Sequence, residues 1–189
     1  MRSRKTRKAK KTTGTVWWQN DKFLKSVLKF TAIIALFGFL LAAFFQLKEG
    51  VMDDRILVAQ QTNAVLNAFG INTSQLGHTI FLTTSLGEGI IIDIIPECVG
   101  WIGMFAIAAL IFAYPRASMK NRLVGLAIFV PLMYLVNIVR LVITVAAGYY
   151  GSADNLFFMH SFLWRVLLIV AALGFWVIWI KYIARKARK

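Results

Sequence analysis

Apolar residues in this chain gather into long blocks instead of alternating with polar ones. Crossing the hydrocarbon core of a bilayer takes ~20 residues of helix. Four blocks approach or exceed that length: residues 27–47, 98–114, 123–150 and 157–180. The centre of the first, TAIIALFGFLLAAFF, carries no charge. Residues 48–97, between the first two blocks, differ in kind. Asp54 to Phe69 has the pattern of a helix, stopped by Gly70. HTIFLTT and IIIDII are β-rich runs on either side of SLGEG, and the Gly-bearing link predicts a hairpin. The pattern predicts an all-α polytopic membrane protein of about four transmembrane helices, carrying a small cap of one helix and one β-hairpin.

Composition agrees. Of 189 residues, 59% are hydrophobic, and the mean hydropathy is +0.67. A soluble domain sits nearer half apolar. The small pair Ala42 and Ala43 could mark a cleavage site, but bulky Phe44 and Phe45 follow at once. The first block is therefore expected to be an uncleaved anchor.

Charge then sets the orientation. The net charge is +14, a value that invites a nucleic-acid reading until its distribution is examined. Residues 1–29 hold ten Lys/Arg, the link 115–122 holds Arg116, Lys120 and Arg122, and the tail 181–189 holds five. Seven of the eight acids lie in the other connecting segments, six of them in residues 48–97. Basic flanks beside apolar spans mark the cytoplasmic side and attract anionic lipid. This predicts a basic cytoplasmic arm (1–26), a membrane domain (27–180) with an extracytoplasmic cap (48–97), and a basic cytoplasmic tail (181–189). Membrane lipids are the expected partners of the arm, and nucleic acid is not.

Ionisable groups inside a span cost ~2.5–3.5 kcal/mol each at a helix centre and mark functional sites. Arg140, His160 and Arg165 fall inside the third and fourth blocks, and the single cysteine, Cys98, opens the second. One thiol forms neither an internal disulfide nor a Cys-based zinc site. At ~1.5 Å rise per residue, Cys98 lies about 24 Å above the inner end of its helix, Arg140 about 25 Å and His160 about 30 Å. Three helices thus bring a thiol, a guanidinium and an imidazole close to one depth, below the outer surface. A thiol near a helix N-terminus and a cation loses its proton more easily. An imidazole serves as general base and then acid, and a fixed cation stabilises an oxyanion. Asn137 is one turn before Arg140 and on the same face, placed to orient it. Gly100 and Gly103 leave room for another chain to approach Cys98. Arg165 is a supporting candidate on another face of its helix. His78, in the polar cap, reads as an exposed residue without a role.

The blocks IIIDIIPECVGWIGM, NIVRLVITVAAG and MHSFLWRVLLIV resemble those of the exosortase/archaeosortase transpeptidases over roughly residues 78–175. That family has a Cys opening one membrane helix, an Arg in the next and a His or Arg in the one after. The resemblance implies catalytic roles for Cys98, Arg140 and His160, with Arg165 as the alternative in the third place. The family also has a short extended segment before the Cys, matched here by IIIDII. Two features depart from the pattern: many members have about eight spans, and Ser-Gly or Asn-Gly often follows the Cys where this chain has Val99-Gly100.

By this resemblance the chain is a cysteine transpeptidase or protease in the plasma membrane of a prokaryote, with its site facing outward. Its substrates are exported proteins whose C-terminal tail comprises a short signature, one membrane helix and a basic cluster. The tail is removed and the new C-terminus passes to a lipid or surface acceptor. No cofactor is implied and no metal-ligand cluster is visible. The competing reading is a non-enzymatic accessory subunit of an export or polysaccharide-assembly system. A transporter would need polar residues along one helix face, and Trp101 to Tyr114 is wholly apolar or Gly.

Overall fold

The computed structural model describes residues 21–48, 53–85, 87–151 and 153–184, with the side chains of 21, 22, 45, 48 and 153–165 outside the description. Among the described residues five α-helices and one small sheet follow in chain order. Helix α1 is Asp21–Lys48, α2 is Asp54–Ala68, α3 is Trp101–Ala113, α4 is Met119–Tyr150 and α5 is Ala153–Trp179, which winds into a π-turn over Ile180–Ala184. Among the described residues three segments are long and apolar enough to cross a membrane: Phe23–Phe44 in α1, Met119–Tyr150, and Val166–Ala184 at the end of α5. The basic arm before residue 21 and the tail after residue 184 lie outside the described residues.

Helix α3 is shorter than the apolar block that contains it. Pro96–Val99 forms a 3-10 turn, and Gly100 follows in the left-handed conformation at φ 95°. Glycine takes that conformation at little steric cost and so can break the helix there. Regular helix begins only at Trp101 and lasts 13 residues, or about 20 Å, so α3 by itself falls short of the length that spans a bilayer. Cys98 therefore lies in a turn three residues ahead of the helix that was expected to begin with it.

The long helices pack antiparallel. The Phe44 ring of α1 lies 4.7 Å from that of Trp101 and 5.7 Å from that of Phe105, and Phe37 lies 5.5 Å from Phe112. Between α4 and α5, Trp179 Nε1 donates to the Asn121 carbonyl at 3.0 Å, and Asn121 Nδ2 donates to the Ile183 carbonyl at 3.1 Å. One step along this seam, the Phe129 and Phe175 rings lie 5.6 Å apart. Gly125 permits the approach, because a Cβ there would run into the Trp179 indole.

The segment between α1 and α3 folds as a cap over one half of α4. Helix α2 begins at Asp53, whose carboxylate accepts from the Arg55 amide, and it ends before Gly70 at φ 80°. Strands β1 (Thr73–Leu76), β2 (Thr79–Thr83) and β3 (Gly89–Asp93) form an antiparallel sheet in the order β1-β2-β3. The expected hairpin is β2–β3, and the sheet adds β1 to it. TSQL is only four residues long, too short a run for alternation to reveal a strand. It turns back through Gly77 at φ 60°. Buried Ile80 and Leu82, with half-buried Ile92, face Val58, Ala59 and Leu66 of α2 and Ile138, Leu141 and Val145 of α4. The Ser85 hydroxyl donates to the Tyr149 carbonyl at 3.1 Å, tying the β2–β3 link to the end of α4.

Candidate active site

Cys98 is set by local chain chemistry before any helix packing. Pro96 fixes φ at the start of the 3-10 turn, and the Cys98 amide donates to the Ile95 carbonyl at 2.8 Å. The side chain then points inward and is 2% exposed, among Ile80, Ile94, Val58, Ala59, Ile138 and Leu141. Such surroundings suit a packed thiol, except for what α4 contributes on the remaining side.

Asn137, Arg140 and Thr144 follow one another along the buried stripe of α4. Asn137 Nδ2 donates to the Cys98 carbonyl at 2.7 Å. Arg140 Nη1 donates to Asn137 Oδ1 at 3.3 Å, and Arg140 Nη2 lies 3.7 Å from Cys98 Sγ, within hydrogen-bond reach of sulfur. Thr144 Oγ1 donates to the Arg140 carbonyl at 2.8 Å, one turn further on. Arg140 and Asn137 are both 0% exposed. Burying a guanidinium is unfavourable unless its donors meet acceptors. Here two of its nitrogens meet a side-chain amide and a sulfur, and the same amide holds the backbone of the sulfur's own residue. The thiol, the amide and the cation form one closed loop of contacts.

The two glycines near Cys98 make room for α4. A Cβ on Gly100 would lie 2.9 Å from Asn137 Cγ, and one on Gly103 would lie 2.8 Å from Met133 Cε. The approach these glycines permit is that of this chain's own fourth helix. His160 and Arg165 fall within α5, and their side chains lie outside the described residues.

Two polar links join α2 to the helices beneath it: Trp101 Nε1 donates to the Asp54 carboxylate, and the Tyr134 hydroxyl donates to Gln61 Oε1. A third cluster stands at the start of the cap. His78 Nδ1 lies 3.6 Å from Asp53 Oδ2, and its Nε2 lies 3.2 Å from Asp93 Oδ1. Arg55 holds Asp53 with two bonds, at 2.6 and 2.8 Å. The Arg55 guanidinium beside Asp53 keeps that carboxyl below its ordinary range. Sequence reasoning left His78 without a role. Its partners are 15 or more residues away in the chain, and no local spacing signals them. Among the described residues no group of three His, Cys, Asp or Glu side chains is arranged to hold a metal ion.

The family model described as transmembrane exosortase matches residues 12–179 of this chain, a span that includes the 3-10 turn of Cys98 and all of α4. No curated protein and no solved structure matches it.

Proposed function

Because the chain belongs to the transmembrane exosortase family, a family of membrane sorting transpeptidases, we propose that it cuts the C-terminal tail from exported proteins and transfers the new C-terminus to an acceptor. The observation that carries this reading is Arg140 Nη2 at 3.7 Å from Cys98 Sγ, both groups buried and held by Asn137. A cysteine that only packs needs no buried guanidinium beside it, whereas a cation at that distance favours the thiolate of a nucleophile.

In this reading the cap and the Cys98 turn face outward, both termini are cytoplasmic, and α3 with its preceding turn is the fourth span. The membrane is the plasma membrane of a prokaryote. A substrate tail helix diffuses in the same bilayer and presents the peptide bond just outside it to Cys98. His160 takes the thiol proton, and Sγ attacks the carbonyl carbon. As the C–S bond forms, negative charge moves from sulfur to the carbonyl oxygen. Arg140 carries several N–H donors on one rigid plane and follows that charge without reorganising. The C–N bond breaks, and the departing amine takes the proton from His160. An acceptor amine or hydroxyl then attacks the thioester, gives its proton to His160 and releases the sulfur; water in its place gives hydrolysis. Asn137 is a positioning residue, and Arg165 supports the third place.

The α4–α5 seam supports the placement of His160. Asn121 lies against Ile183, and Phe129 against Phe175. Each step up α4 matches a step down α5. Carried along unbroken helix, this register sets the backbone at 160–165 opposite residues 139–144.

The test pairs Cys98→Ala and Cys98→Ser with an exported reporter bearing the C-terminal tail of a protein from the source genome. Both variants are expected to leave the reporter full length, with Arg140→Lys at least about 10-fold slower than the parent. Normal processing by both cysteine variants would remove the enzyme reading and leave the accessory-subunit reading in its place.

A further inference from the structure

The sheet of the cap ends in an open edge that runs directly into the Cys98 turn. Strand order β1-β2-β3 makes β3 an edge strand. Which of its backbone groups point outward follows from two hydrogen bonds at the ends of the β2–β3 ladder. The Thr84 amide donates to the Glu88 carbonyl at 2.8 Å, and the Ile94 amide donates to the His78 carbonyl at 3.0 Å. In an antiparallel ladder the hydrogen-bonded pairs alternate with non-bonded ones. The register Thr79↔Asp93, Ile80↔Ile92, Phe81↔Ile91, Leu82↔Ile90 and Thr83↔Gly89 then assigns Ile90 and Ile92 to the bonded pairs. Gly89, Ile91 and Asp93 turn their N–H and C=O groups away from β2. Among the described residues no backbone group bonds to these three from the open side.

Edges of this kind are normally guarded by Lys, Pro or a bulge, because they recruit other strands. The sequence of β3 is GIIID, with no such guard at its centre. Ile91 is 69% exposed, and Phe81, its cross-strand partner on the same face, is exposed too. Beside them a shallow trough runs over the sheet, lined by Phe81, Ile91, Thr83, Gly89 and Ser74. Asp93 stands only five positions before Cys98, and the chain between them has no other regular element than the 3-10 turn.

We propose that the open edge of β3 is the substrate-binding edge, and that the extended segment preceding a substrate's membrane helix adds to it as a fourth strand. This deepens the transpeptidase reading and rests on it. An unpaired strand edge offers main-chain donors and acceptors at every second residue, and the ligand that satisfies them is an extended peptide. Chain order sets the direction. This protein runs from β3 through the Cys98 turn into apolar α3, and a tail runs from extended segment into membrane helix. Laid side by side with both helices entering the bilayer, the two strands are parallel. The peptide bond following the added strand then comes level with Cys98. Main-chain pairing gives affinity, while alternate side chains of the signature, seated beside Ile91 and Phe81, give selectivity.

Two arms test this in membranes containing the full chain and the tail-bearing reporter. Proline is tolerated on an edge strand where its missing amide faces away from the neighbour. Ile91→Pro is therefore expected to slow processing at least about 10-fold while membrane yield and alkylation of Cys98 stay at the parent level. Processing within twofold of the parent overturns the proposal. The second arm stands even if that variant misfolds. Gly89→Cys, Ile91→Cys and Asp93→Cys, each in a Cys98→Ser chain, are oxidised against cysteines scanned through the reporter's signature. The expected result is disulfide formation at alternate signature positions, moving toward the reporter's membrane helix as the enzyme cysteine moves from 89 to 93. Absent, aperiodic or oppositely moving cross-links overturn it. The Cys98→Ala control separates the two claims. Lost processing in that control with an unaffected Ile91→Pro enzyme removes the edge and keeps the transpeptidase, whereas normal processing in it removes the transpeptidase whatever the cross-links report.

Discussion

The shortest distances around Cys98 depend on the absence of one side chain. Asn137 can hold the Cys98 carbonyl at 2.7 Å only because Gly100 has no Cβ to meet it. Gly100→Ala has two costs, the left-handed backbone at φ 95° and a contact of 2.9 Å with Asn137 Cγ. The first costs about 1–2 kcal/mol and the second about 1–3 kcal/mol. The variant is expected to lower the melting temperature in detergent and to move Asn137 off the Cys98 carbonyl, whereas Gly38→Ala, with nothing within 4 Å of its Cβ, leaves the melting temperature unchanged or raised. Thermal melts of the two alanine variants beside the parent check this. Residue chemistry and helical rise were enough to ask whether Cys98 and Arg140 share a level. That Asn137 bonds to the cysteine's own carbonyl was not legible, because it depends on Gly100 breaking the helix and on α4 filling the space.

At the scale of elements, the cap is tied down at the beginning of α2. Asp53 is held below its ordinary carboxyl value, first by the hydrogen bonds from Arg55, with a smaller contribution from the charge of His78. A group whose folded pKa is depressed adds stability that is present above the unfolded value near 3.8 and fades as pH falls through the lower folded value. Acidification through and below pH ~4 is thus expected to loosen the first turn of α2, seen as faster amide exchange at Arg55 to Leu57. Arg55→Gln should flatten that dependence, and an unchanged profile in this variant would show that Arg55 is not the cause. The effect is small because the pair is partly exposed and screened by solvent. Helix α2 and the β2–β3 hairpin were legible, since each carries its own periodicity and stop signals. Strand β1 was not: four residues contain too few alternations, and only pairing with β2 defines it.

At the scale of the molecule, three helices among the described residues are long and apolar enough to cross a membrane, and α3 is a shorter apolar helix with the Cys98 turn at its cap end. From the charge pattern we propose that the cap lies outside. In a Cys98→Ser chain, Ser74→Cys on the sheet is expected to react with a membrane-impermeant maleimide in intact cells. Ser118→Cys, at the opposite end of α4, should react only after permeabilisation. The reverse labelling pattern would invert the topology and with it the direction in which the Cys98 turn faces.

The linear order of residues determined the number and position of the apolar blocks, the basic flanks and the kinship with exosortases. Hydropathy and charge act locally, and a short ordered motif survives without its surroundings. Tertiary structure alone decided that Asn137 and Arg140 close around Cys98, that His78 bridges two carboxylates, and that β3 ends the sheet with the amides of Gly89, Ile91 and Asp93 turned away from β2. Each of those depends on groups far apart in the chain meeting within a few ångströms. Short-range periodicity carries no record of such meetings; only the packing of α2, the sheet and α4 against one another brings them about.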